Sequence, residues 1–162
     1  MAAVPLTGTT VPTTTGGWSV KLGAGTSTNV IPTVLTDFDE IGDIINKLPN
    51  FFPTPEKLEY KTLDSKQTKS IQGGMPPIDG PLSVYFSSRL FEVHKRMVTF
   101  QNDATKGNCF WLVVNYKDEK RTVYCRCTVN EKIPTSQEES GSLTPVELSL
   151  SNIDEAVEEK VA

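Results

Sequence analysis

The chain has one histidine, His94, and imidazole is the commonest general base in enzymes, so this residue is where catalytic chemistry would be sought first. It lies in Leu90-Phe-Glu-Val-His-Lys-Arg-Met97, where apolar residues recur at helical spacing, and no serine or cysteine nucleophile with an orienting carboxylate is specified beside it. The expectation is a packed or half-packed histidine. Cys125-Arg-Cys127 has the alternate spacing that points two thiols to one face of a strand, but no second cysteine pair or histidine cluster completes a structural zinc site. With Cys109 the cysteines are odd in number and sit in apolar stretches, which predicts buried free thiols. Asp37, Asp39, Glu40 and Asp43 resemble a ligand cluster, yet their spacing is not that of a calcium loop; a solvated acidic turn or a negatively charged lining fits better. Gly23-Ala-Gly25 and Gly73-Gly74 lack the glycine spacing and following lysine of a phosphate loop. Trp111 and Tyr116 have no basic groove around them and read as core or interface aromatics. No catalytic, cofactor or metal residues are expected.

The elements that would position these residues are mostly strands. Residues 1–17, ending in Thr13-Thr-Thr-Gly-Gly17, have no sustained periodicity and read as an extended N-terminal arm. Trp18 to Leu22 predicts a first strand and Val30 to Leu35 a second, with Pro32 marking an edge or bulge. The acidic stretch around Phe38, Ile41 and Ile44 is either a helical turn or a curled loop. Leu58 to Leu63 alternates as a half-solvated strand, and Asp64 to Gly80 follows as a long polar connection. Pro81 to Phe86 resumes strand character. Ser87 or Ser88 then caps a helix with Leu90, Val93, His94 and Met97 along one side. The clearest hairpin pairs Phe110–Tyr116 with Thr122–Val129 across Lys117–Arg121. Ser142 to Leu150 places Val146, Leu148 and Leu150 on one face, with Pro145 favouring an edge position.

The chain of 162 residues suits one domain, and a net charge of −4 disfavours a broad basic surface that grips nucleic acid. The longest strongly apolar run, Cys109 to Val114, falls far short of the roughly 20 residues a membrane helix needs. The N-terminus lacks a basic region followed by an apolar run, so synthesis in the cytoplasm is expected.

In order and spacing, the segments Phe38–Asp43, Leu58–Asp64, Leu90–Met97, Phe110–Val114, Val123–Lys132 and Leu143–Leu150 resemble the tail-tube (major tail) proteins of long, noncontractile-tailed bacteriophages. The resemblance spans roughly residues 18–155 and leaves 156–162 as a C-terminal tail. It implies a mainly β fold, a sandwich or small barrel with one flanking helix, a long hairpin-like loop over 64–80 and an extended arm. It further implies hexameric rings stacked into a hollow tube in the virion tail, with a tape-measure protein, tail-end proteins and transiently passing DNA as partners.

By that resemblance, Asp64, Lys66, Lys69, Ile71, Gly73, Gly74, Met75 and Ile78 would make contacts between rings. Asp39, Glu40, Glu59, Asp118, Glu119 and Glu131 are the candidates for an acidic bore. An acidic bore suits passage of DNA, because a basic one would hold phosphates instead of letting them slide. Related tubes in phage-derived bacteriocins and injection devices share the ring assembly, and a free-standing β-rich binding module is the alternative from outside the family. The expectation is a structural, self-assembling subunit and not an enzyme.

Overall fold

The computed structural model describes residues 18–55, 57–64, 66–73, 77–116, 121–134 and 145–160. The strongest local signal, the apolar run after Cys109, forms β7 (Phe110–Tyr116), which pairs antiparallel with β8 (Arg121–Val129) and, on its other side, with β1 (Trp18–Ala24). The two-residue β2 (Asp39–Glu40) extends the far edge of β1. The opposite edge of β8 carries both β10 (Leu150–Asn152) and β11 (Val157–Lys160), giving six strands in all. A second, three-stranded sheet has the order β3 (Ile45–Lys47), β6 (Leu82–Tyr85), β9 (Pro145–Leu148). The third is a hairpin of β4 (Lys57–Tyr60) and β5 (Lys69–Gln72).

The fold is thus mainly β, with several antiparallel sheets and one flanking helix, α1 (Ser88–Gln101). Register explains the core. Val20, Leu22, Phe110, Leu112, Val114, Val123, Cys125 and Cys127 fall on one face of the large sheet, as period-two geometry requires. They form one cluster with Leu82, Val84, Val146 and Leu148 of the second sheet and Leu90, Val93 and Met97 of the helix. Ser87 caps α1, its hydroxyl accepting from the Leu90 N–H at 3.3 Å. At the other end the Gln101 side-chain amide exchanges two hydrogen bonds with the Val129 backbone, 2.8 and 3.0 Å, as a neighbouring strand would.

The predicted strand over Val30–Leu35 is not formed. That segment crosses the outer face of the large sheet as irregular chain, where Ile31, Leu35 and Phe38 pack on Trp111, Val113 and Tyr124. Its apolar residues therefore cover a sheet instead of extending one, and Pro32 has no N–H to offer a ladder. The connection over 64–80 is not loop throughout, since β5 lies inside it. Val146, Leu148 and Leu150 are all buried with Glu147 and Ser149 exposed, but the chain changes sheet between Leu148 and Leu150. Pro145 begins an edge strand, as its missing donor suggests. Strand β11 lies in what the sequence suggested was only a tail.

Candidate functional site

The β4–β5 hairpin is exposed along its whole length. Leu58 faces Ile71 and Tyr60 faces Lys69, so the apolar side chains share one side, while Lys57, Glu59, Ser70 and Gln72 share the other. Leu58, Tyr60 and Ile71 are about half exposed, and Leu63 in the connecting turn is fully so. Two strands alone rarely hold together in water. Of the eight residues assigned to contacts between rings, Asp64, Lys66, Lys69 and Ile71 lie on this hairpin or its turn, with Gly73 immediately beyond β5. The Asp64 carboxyl is held below the usual range by hydrogen bonds from the Thr62 side chain and its own backbone N–H. Ile78 is elsewhere: it packs against the main core, and its N–H donates to Asn152 Oδ1 at 3.2 Å. Gly74 and Met75 lie outside the described residues.

Of the acidic candidates, Asp39, Glu40, Glu59 and Glu131 lie among the described residues. Asp39 is ion-paired with Arg96 of α1, and Asp43 with Arg89 at 3.1 Å. Glu40 Oε1 accepts from the Val20 N–H at 3.1 Å, while the Glu40 carbonyl accepts from Arg89 at 2.7 Å. The Asp39 and Asp43 carboxylates and the Glu40 carbonyl fasten the β2 edge and the following 3-10 turn (Gly42–Ile44) to the helix, while the Glu40 carboxylate holds β1. Glu59 is exposed on the hairpin and Glu131 just beyond β8. Asp118 and Glu119 lie outside the described residues, as does the 1–17 arm.

His94 is buried, its Nε2 bonded to the Asn130 carbonyl at 2.9 Å, so its ring ties α1 to the end of β8. Cys109, Cys125 and Cys127 are buried free thiols. Burial, and then the neighbouring Cys125, push the Cys127 thiol well up. Among the described residues no group of three or more His, Cys, Asp or Glu is placed to hold a metal ion, and no helix is long and apolar enough to cross a membrane.

Sequence reasoning passed over Arg126. It lies on the outer face of β8, 8% exposed, opposite Trp111. Its guanidinium donates to Asp154 through Nε at 2.7 Å and also through Nη2, while Nη1 reaches the Thr26 carbonyl at 2.7 Å. Trp111 Nε1 donates to the Thr26 hydroxyl at 3.1 Å. Asp154 sits in the irregular stretch between β10 and β11, so one side chain joins that edge to the loop over the sheet. The signal was available: an arginine between two cysteines in an apolar strand cannot be buried without partners. Gly107, at φ +73°, completes this end; a Cβ there would stand 2.2 Å from the Thr26 carbonyl oxygen.

A cleft of about 680 Å³ opens beside the start of β1. Trp18 and Tyr116, with ring centroids 4.3 Å apart, form one wall; β3 and the following Leu48–Phe52 form the other. No family model matches the chain, and no curated protein matches it in sequence.

Proposed function

We propose that the chain is a tube-forming structural subunit of a long-tailed bacteriophage: six copies make a ring, and rings stack into the hollow tail through which DNA leaves for the host. In this reading the two larger sheets form the sandwich of the tube domain, α1 lies on its flank, and the β4–β5 hairpin reaches a neighbouring ring. The subunit is made in the bacterial cytoplasm, ends in the virion tail, and meets a tape-measure protein and tail-end proteins along the tube. It has no catalytic role.

The observation that carries the reading is the projecting hairpin. It exposes Leu58, Tyr60, Leu63 and Ile71, a set of apolar side chains that a second subunit would take out of water. The net charge of −4 and the exposed Glu59 and Glu131 suit a wall that does not retain phosphates.

Electron microscopy of the purified protein over a range of concentrations tests this. Stacked six-fold rings with a central bore are the expected result. A chain that stays monomeric at high concentration, or assembles into a solid fibre, overturns it. The monomeric outcome would favour a free-standing binding module, for which the cleft beside Trp18 is the supporting feature.

A further inference from the structure

Strands β4 and β5 pair with each other and with no other strand among the described residues, so the outer edge of each lacks a ladder partner. A two-stranded hairpin is marginal in water, and a third strand stabilises it. The sheet edges that could supply one differ in length and charge. β2 has two residues, and its Asp39 is already ion-paired with Arg96. β3 has three and carries the exposed Lys47, which would meet the lysines of the hairpin. β9 opens on Pro145, which has no N–H to give, and β10 has three residues and no charge. β11 has four residues, the length of β4 and of β5, and is paired only on its β8 side.

Charge selects between the two strands of the hairpin. Around β5, from Lys66 to Gln72, the charged residues are Lys66 and Lys69, both exposed, whereas β4 contains Glu59. Along the edge that ends in β11, Glu155, Glu158 and Glu159 are exposed. Arg121 of β8 answers Glu158 at 3.3 Å, while Glu155 and Glu159 make no ion pair among the described residues. Opposite charges across a strand pair stabilise it and like charges do the reverse. Ile153, 47% exposed on the same edge, gives the apolar side of the hairpin a surface to cover.

We propose that β5 of one copy adds to the outer edge of β11 in a second copy, extending its six-stranded sheet, with Lys66 and Lys69 set against Glu155 and Glu159. Within one molecule the two strands belong to different sheets and do not pair, so the partner is another copy. The contact joins two different surfaces, and every copy offers one of each, so it propagates from copy to copy. Main-chain hydrogen bonds supply the affinity, and the charges decide which edge is taken. The inference rests on the tube reading for the neighbour being a subunit of the next ring.

Two charge-reversed variants test it, Lys66→Glu with Lys69→Glu and Glu155→Lys with Glu159→Lys, both leaving the Arg121–Glu158 pair in place. Either variant alone sets like charges against each other and should need at least about tenfold more protein to assemble than the natural chain. Mixed in equal amounts they should assemble as the natural chain does, because each then meets the opposite charge on the other. Chains with Ser70→Cys and chains with Glu159→Cys, mixed and treated with a short bismaleimide, should cross-link to each other and neither kind to itself. The native thiols are 0–1% exposed and do not compete. Variants that assemble normally alone, a mixture that does not recover, or a missing cross-link overturn the proposal; tubes from the natural chain would then leave the tube reading intact. Recovery and cross-linking in an assembly without a bore uphold the edge contact and overturn the tube. A natural chain that stays monomeric overturns both.

Discussion

Arg126 shows how much one residue can hold when its partners come from distant parts of the chain. Arg126→Ala strips Asp154 of its partner and leaves the Thr26 carbonyl without its charged donor. Removing one member of a fully buried pair costs about 3–5 kcal/mol; with the Asp154 side chain 31% exposed, about 2–3 kcal/mol is expected, read by urea unfolding. Arg126→Met with Asp154→Leu should recover most of it, because well-packed apolar residues can replace a buried pair. Cys127 makes a prediction about alkali. Its thiol is raised on folding, so the folded chain holds this proton more tightly than the unfolded one. The associated stability is fully present below the unfolded thiol's pKa, near 8.5, and is lost as pH rises through the folded value. Thermal midpoints should fall above about pH 9, and Cys127→Ser should flatten that decline. A midpoint independent of pH across this range would contradict the burial of the thiol.

The elements differ in how far their sequences announced them. Helix α1 was legible in its start and its buried face, because Ser87 or Ser88 offered a cap before the single apolar stripe of Leu90, Val93, His94 and Met97, while its end at Gln101 was not marked. The β7–β8 hairpin was equally plain, and Val113→Asp tests its outer face, where the residue is 1% exposed against Tyr124. An unpaired carboxylate there should prevent folding or cost more than about 3 kcal/mol, measured by denaturant titration. Val30–Leu35 misled because alternation and β-branching record a half-buried surface without recording a ladder. Asp64–Gly80 misled in the opposite sense: Lys69-Ser-Ile-Gln72 carries one large apolar residue, and its pairing with β4 depends on a partner earlier in the sequence. The ion pairs of Asp39 and Asp43 were hidden for the same reason, since their arginine partners are on α1. For the hairpin, Leu58→Asp with Ile71→Asp should leave the monomer's unfolding midpoint nearly unchanged, because both residues are about half exposed. The same pair should abolish tubes in electron micrographs. Normal tubes from this variant would remove the hairpin from the assembly surface.

At the scale of the whole molecule, assembly and folding make separate demands on the chain. If the hairpin is covered by a neighbour, amides of Lys57–Tyr60 and Lys69–Gln72 should exchange quickly in the monomer and at least about tenfold more slowly in tubes, while those of β7 stay slow in both. Equal exchange in the two states would count against the contact. The strand that passes from one sheet to the other between Leu148 and Leu150 bears on biosynthesis. Residues 145–160 supply the β9 edge of the small sheet and the β10 and β11 edge of the large one, pairing with strands made much earlier. Neither sheet is complete until this stretch has left the ribosome, so the nascent chain keeps one edge of β6 and one edge of β8 uncovered until residues 145–160 have been made. Stalled chains ending before Pro145 should therefore be cut readily by protease and bound by chaperones, whereas chains released after Lys160 should resist both.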